Sequence, residues 1–145
     1  MSKAIAIDPG IYKCGLIIAD LTEKKVCKAE VIQSSYLLSY VKIIYQNHHK
    51  LQFLIGNGTS SKKFIKGLSE FVPNLILAEE KNSTYRAKTR YFEIFPLSGF
   101  KYFLPREIFL LNKNLDALAA LIIMEDHYNC KFEMSKTINT KTWLK

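Results

Sequence analysis

The chain has 145 residues, 48% of them hydrophobic and 12% aromatic, which fits one folded domain and excludes extended disorder. No apolar run reaches the roughly 18 residues that span a bilayer, and the first apolar stretch is too short for a signal peptide. We therefore expect a soluble cytoplasmic protein with no membrane partner. A net charge of +8 favours a polyanionic partner such as nucleic acid, and three widely spaced cysteines without a CxxC pair are interpreted as reduced thiols.

The hydrophobic pattern predicts an antiparallel meander followed by alternating helices and strands. Short apolar runs bounded by turn residues predict strands at 3–7, 15–19, 26–32, 51–55 and 75–78. Apolar residues at helical spacing predict four helices, which begin at Ser34 or Ser35, cover 64–71, begin at Asn82 or Ser83, and span 115–128.

Two segments lack a readable period. Residues 95–113 are interpreted as a long loop, and the basic tail at 131–145 has no assignment. The order of the remaining elements predicts one α/β domain over residues 1–130, built as a mixed five-stranded sheet covered by helices.

Acidic residues lie at three informative positions. Asp8 follows the first strand, Glu79 and Glu80 follow the strand at 75–78, and Asp116 lies in the first turn of the last helix. Carboxylates that meet at one edge of a sheet repel one another unless a cation lies between them, and hard divalent cations suit oxygen ligands. Two such cations activate water in phosphodiester cleavage, so the three positions together indicate a nuclease.

Each of these residues also has an ordinary interpretation. Asp8 precedes Pro9 and Gly10 and is a common turn residue, while Glu79 and Glu80 fit a solvated strand end. Asp116 fits a helix dipole. The hypothesis of a joint site depends on the three positions being read together.

Three segments have the pattern of one known family. Residues 7–16 (IDPGIYKCGL) carry an aspartate, a glycine, a basic residue and a second glycine in the order of its first two strands. Residues 77–84 (LAEEKNST) are similar to its acidic, basic and Ser/Thr segment, and 115–125 (LDALAALIIME) to its final helix. On these segments the chain resembles the YqgF or RuvX-like proteins of the RNase H-like superfamily, described as Holliday junction resolvase-like proteins or pre-16S rRNA nucleases.

The resemblance, which covers residues 4–128, implies an RNase H-like fold and an endonuclease that cleaves structured nucleic acid with Mg²⁺ or Mn²⁺. Pre-16S rRNA is the substrate that the family likeness favours. Carried over by position, the resemblance makes Asp8, Glu80 and Asp116 the catalytic metal ligands, and it places Lys13 and Lys81 where the family has phosphate-contacting basic residues.

Departures from the family pattern leave two alternatives open. Glu79 and Lys81 replace the usual Asp and Arg, and lysine makes no bidentate phosphate contact, which suggests a catalytically inactive nucleic-acid-binding adaptor. The other alternative is a junction resolvase-like DNA nuclease, which requires a two-fold dimer; a homodimer therefore stays open. Dedicated resolvases carry an acidic residue where this chain has Lys113.

Further basic residues lie on predicted helices. Lys62 and Lys66 lie opposite an apolar stripe, and Arg86 and Arg90 share one face at a spacing of four. We expect them to hold a nucleic-acid backbone, with a plain solubilising surface as the alternative. Loop aromatics between residues 91 and 103 are interpreted as base-stacking or core residues.

Overall fold

The computed structural model describes residues 2–110, 115–138 and 143–144. Its strands are β1 (Lys3–Asp8), β2 (Lys13–Asp20), β3 (Lys25–Gln33), β4 (Gln52–Gly56), β5 (Leu75–Ala78) and β6 (Trp143–Leu144). Its helices are α1 (Leu37–Asn47), α2 (Lys62–Ser69), α3 (Ser83–Ile94), α4 (Arg106–Leu110) and α5 (Asp116–Tyr128). Short 3-10 turns cover Ser34–Tyr36 and Gly99–Phe103.

The strands form one mixed sheet in the order β5-β4-β1-β2-β3-β6. Strands β1, β2 and β3 are antiparallel, whereas β4 and β5 run parallel to β1. This confirms the predicted α/β fold with its five-stranded mixed sheet and is consistent with an RNase H-like arrangement. The additional strand, β6, pairs in parallel with β3; its two residues are too few to show a strand period in the sequence.

Helices cover both faces of the sheet. In β1, Ala4 and Ala6 face α3 and α5, while Ile5 and Ile7 face α1 and α2, as the alternation of side chains in a strand requires. Helix α5 is buried over residues 117–125, and its alanines allow close packing on the small residues of β1. The carboxyl ends of β1, β4 and β5 therefore share one edge of the sheet, beside the start of α5.

Two local predictions are wrong. The segment at 95–113 is not a continuous loop, because it contains the turn Gly99–Phe103 and helix α4. None of the residues in these two elements is buried, so no apolar stripe marks them in the sequence. Neither Ser34 nor Ser35 caps α1, since both lie in the preceding 3-10 turn. Lys113 lies outside the described residues.

The beginning of the tail packs on the domain. Phe132 and Met134 are buried in the core on the α5 face. Glu133 donates its backbone N–H to Lys24 and accepts from Val26, at 2.8 and 2.9 Å. Within the described ranges, no helix has the length and apolar character needed to cross a bilayer.

Candidate functional site

The first part of the site is formed where β1, β2 and α5 meet. Asp8 ends β1 and lies opposite Gly15 of β2 in the strand register. The backbone of Asp116 packs directly on Gly15, where a Cβ atom would lie 1.8 Å from the Asp116 carbonyl oxygen. The absence of a side chain at Gly15 thus brings the start of α5 against the end of the β1–β2 pair, and with it Asp116 close to Asp8.

Glu80 reaches the same edge from the other side. Strands β4 and β5 end together, with Gly56 opposite Ala78, and Glu80 follows two residues later. Its Oε2 would lie 2.3 Å from a Cβ atom at Gly58 and 3.0 Å from one at Gly56. The end of β4 and the loop after it therefore have the space for this carboxylate, because both positions are glycine.

The three predicted carboxylates interact electrostatically. Asp8 is buried and its carboxyl group contacts that of Glu80. Burial, the negative charge of Glu80 and, to a smaller extent, that of Asp116 raise the pKa of Asp8 to about 8. Apart from the proton that Asp8 retains below about pH 8, Glu80 Oε2 is a buried atom without a hydrogen-bond donor in the described structure.

Two further side chains hold these carboxylates. Lys13 Nζ lies 3.1 Å from Asp116 Oδ2, in a pair whose side chains are 41% and 27% exposed. The Ser83 hydroxyl donates to Glu80 Oε1 at 3.3 Å and leaves Oε2 directed at the glycine loop. Ser83 and Gly58 are site residues that the sequence analysis did not name as such; Ser83 belongs to the 77–84 segment that carries the family resemblance, and Gly58 follows β4 by two residues.

The other predicted basic residues are more dispersed. Lys81 pairs with Glu79 at 2.8 Å on the open surface, and this ion pair lowers the pKa of Glu79. Lys62 and Lys66 are exposed on α2, which begins shortly after the glycine loop that holds Glu80. Lys13 is thus the predicted basic residue that the structure pairs with a site carboxylate.

Arg86 and Arg90 join α3 to α5. Arg86 donates to both carboxylate oxygens of Asp126, at 2.5 and 2.8 Å. Arg90 donates to Glu125 Oε1 at 2.9 Å and to the carbonyl oxygen of Phe132 at 2.8 Å. A phosphate contact by either guanidinium would require these bonds to break or be shared.

The donor set fits a divalent cation in part. Asp8 and Glu80 offer adjacent carboxylate oxygens, which are the ligands that hard cations prefer. One of these oxygens, Glu80 Oε2, is buried and has no hydrogen-bond partner in the described structure. Asp116 is within electrostatic range, but Lys13 occupies one of its oxygens. Across the described ranges, no group of three or more His, Cys, Asp or Glu side chains is arranged to hold a metal. The third carboxylate would therefore have to move away from Lys13 to join the other two.

No protein-family model matches the sequence, and no curated protein is significantly similar to it. The family resemblance consequently rests on the three motif segments, and the geometry of the carboxylates is the independent observation that bears on function.

Proposed function

We propose that this chain is a divalent-metal-dependent nuclease that hydrolyses phosphodiester bonds in nucleic acid. The observation that supports it most strongly is the buried contact between Asp8 and Glu80, in which Glu80 Oε2 has no partner among the described residues. The two buried carboxyl groups lie together with the proton that Asp8 retains up to about pH 8, and a bound cation would replace that proton and satisfy Glu80 Oε2. Asp116 is the third carboxylate of the proposed site.

The roles of the residues follow from their positions. Bound divalent cations supply the charge that activates a water molecule and stabilises the leaving oxygen in phosphodiester hydrolysis. Asp8, after releasing its proton to solvent, and Glu80 would hold these cations, and Gly58 and Ser83 fix the direction of the Glu80 carboxylate. Lys13 exchanges its contact with Asp116 for one with the substrate phosphate, which releases Asp116 toward Asp8.

The proposed substrate is nucleic acid because the chain carries a net charge of +8 and exposed lysines lie around this edge of the sheet. Lys13 lies at the site, Lys62 begins α2 close to the glycine loop, and Lys81 directly follows Glu80. The choice of RNA, and of a ribosomal RNA precursor in particular, comes from the family resemblance alone and belongs to this proposal.

A second candidate function is a nucleic-acid-binding adaptor without turnover. The pairing of Asp116 with Lys13 favours it, because a lysine in place of a cation neutralises a carboxylate without supplying metal chemistry. Such an adaptor would bind nucleic acid in a salt-sensitive manner and would leave it intact.

Cleavage of end-labelled RNA and DNA oligonucleotides with Mg²⁺, Mn²⁺ or EDTA tests the proposal. We expect metal-dependent products from the wild type and none above background from Asp8→Asn or Glu80→Gln. Glu79→Gln is the matched control, since Glu79 is adjacent to Glu80 but lies exposed in a pair with Lys81, and it should cleave like the wild type. Salt-sensitive binding without products in any metal would support the adaptor instead. Unchanged cleavage by both carboxylate variants would show that Asp8 and Glu80 do not form the catalytic site.

A further inference from the structure

Two shallow depressions, each of about 430 Å³, adjoin the carboxylates. One is lined by residues of the β1–β2 loop and of the turn after β3, among them Tyr12 and Lys13. The other is lined by the start of α3, including Tyr85 and Lys88, and by Glu80 itself. Each depression therefore combines one tyrosine and one lysine next to a carboxylate.

The side chains of Tyr12 and Tyr85 are exposed, whereas large aromatic rings are usually buried at least in part. Tyr12 is 85% exposed and Tyr85 is 73% exposed; among the described residues the other exposed tyrosine and phenylalanine rings are Tyr36, Phe100, Tyr102 and Phe103, none of which lines either depression. An exposed ring beside a site is the arrangement that proteins use to stack a ligand's planar group.

Local contacts fix the backbone that carries both rings. The carbonyl oxygen of Tyr12 accepts the N–H of Ser34 at 2.9 Å, and the Ser34 hydroxyl donates to Gly10 at 2.8 Å, which fastens the β1–β2 loop to the end of β3. Tyr85 lies in the first turn of α3, two residues after Ser83, which bonds to Glu80. Both rings therefore start from ordered backbone, which lowers the entropy lost on binding.

Pairwise interactions between side chains connect the two depressions. Lys13 links Tyr12 to Asp116, the charge of Asp116 acts on Asp8, and Asp8 contacts Glu80 beside Tyr85. The two depressions are therefore connected through Lys13, Asp116, Asp8 and Glu80.

We propose that Tyr12 and Tyr85 are base-stacking platforms that hold an unpaired strand of nucleic acid across the carboxylates; this inference rests on the proposed nuclease function. Every base has a face that stacks on an aromatic ring, and in a duplex neighbouring base pairs cover those faces. Lys13 and Lys88 lie beside the rings, where the phosphates that join the stacked bases pass. The site thereby selects unpaired segments of RNA or DNA, and a phosphate of the segment that runs between the two stacked bases lies at Asp8 and Glu80.

Binding measured separately from cleavage tests this inference. Fluorescence anisotropy of a short labelled unpaired oligonucleotide in Ca²⁺ should show that Tyr12→Leu and Tyr85→Leu each weaken binding about tenfold. Tyr12→Phe and Tyr85→Phe keep the ring and should bind within about twofold of the wild type. Tyr102→Leu is the matched control: the sequence made Tyr102 one of the candidate base-stacking aromatics and it is 71% exposed, but it lines neither depression, so stacking at Tyr12 and Tyr85 predicts wild-type binding.

An abasic oligonucleotide of the same length separates stacking from charge. It keeps the phosphates and lacks the bases, so the wild type should bind it about as weakly as the double leucine variant binds the normal strand, and the leucine changes should not weaken abasic binding further. Equal affinity of the wild type for both strands would overturn the inference, as would leucine variants with wild-type affinity or an equal loss from Tyr102→Leu.

Failure of the nuclease proposal gives a different result. If the tyrosine variants lose binding but the wild type never cleaves in Mg²⁺ or Mn²⁺, the base-stacking proposal is supported and the nuclease proposal is refuted. If the wild type cleaves and the tyrosine variants bind and cleave normally, the nuclease proposal is supported and the base-stacking proposal is refuted.

Discussion

The carbonyl oxygen of Asp116 lies where a side chain on Gly15 would begin, with 1.8 Å between that oxygen and the position of a Cβ atom. This approach connects the second strand to the first turn of α5. It is also the contact that sets the distance between Asp116 and the end of β1, because Gly15 pairs with Asp8.

Replacing Gly15 with alanine should therefore displace α5. The neighbouring atoms are backbone, which cannot turn away, so we expect a loss of about 2 to 4 kcal/mol in the free energy of unfolding, measured in urea. Gly99→Ala is the control: no atom lies within 4 Å of its Cβ position, so the loss should be only the strain of an alanine at a φ of +64°, about 1 kcal/mol. Equal losses in the two variants would show that the close approach is not a tight constraint.

The substitution Gly58→Ala should affect the site more than the fold. Its Cβ atom would lie 2.3 Å from Glu80 Oε2, which is the end of a flexible side chain and can shift. We expect unfolding within about 1 kcal/mol of the wild type and a loss of about 10- to 100-fold in Mn²⁺ affinity by calorimetry. Unchanged Mn²⁺ affinity would show that Glu80 binds no metal in its present orientation.

Stability should depend on the ionisation of Asp8. Burial and the charges of Glu80 and Asp116 raise its pKa from 3.8 to about 8, so between these values the folded chain holds a proton that the unfolded chain has released. Unfolding then releases a proton, and the free energy of unfolding falls as pH rises from about 4 to about 8.

The variant Asp8→Asn cannot ionise and should lose this pH dependence. At pH 8 in metal-free buffer we expect it to exceed the wild type by on the order of 3 kcal/mol, with a smaller difference near pH 5. Urea unfolding across this range measures both. A wild type and variant that change in parallel with pH would contradict the raised pKa.

Glu125 should contribute strongly to stability because it fastens the segment after α5. It is 5% exposed and accepts from Arg90 and from the backbone N–H of Phe132. Glu125→Ala leaves Arg90 without its buried partner and should cost about 3 to 5 kcal/mol of unfolding free energy. Asp126→Ala removes the neighbouring pair with Arg86, which is exposed, and should cost about 1 kcal/mol or less. Similar losses would argue against a special role for the buried pair.

Lys13→Met separates the two proposed roles of this lysine. Its pair with Asp116 is partly exposed, so stability should change by less than about 1 kcal/mol. Release of Asp116 should tighten Mn²⁺ binding, whereas cleavage should fall because a phosphate contact is lost. Lys81→Met removes the exposed pair with Glu79 and should leave Mn²⁺ affinity unchanged. Weaker Mn²⁺ binding by Lys13→Met would show that Lys13 supports the metal site rather than competing with it.

The strands and the main helices follow from the sequence because their periods are strong. The alternation of alanine and isoleucine in β1 and the apolar positions of α1 and α2 reflect burial on two faces, and the structure confirms these elements. By contrast α4 and the turn Gly99–Phe103 bury no side chain, so their sequence carries no amphipathic pattern.

For the site, the sequence predicts only which carboxylates lie at the ends of strands and at the start of α5. Asp8 and Glu80 do meet at one edge, as expected because β1 and β5 both run parallel to β4, which lies between them. The contact of Lys13 with Asp116 and the engagement of Arg90 with Glu125 depend on side-chain directions that no spacing specifies. The space that Gly58 leaves for Glu80 depends on how two separate loops pack together. The sequence of either loop alone does not indicate this contact.

Calorimetric titration of Mn²⁺ into the wild type and Asp8→Asn tests the metal site most directly. We expect saturable binding by the wild type and its loss in the variant, whereas Glu79→Gln should bind like the wild type. Binding that is absent from the wild type both alone and with a nuclease-resistant oligonucleotide, or that survives in Asp8→Asn, would contradict a metal held between Asp8 and Glu80.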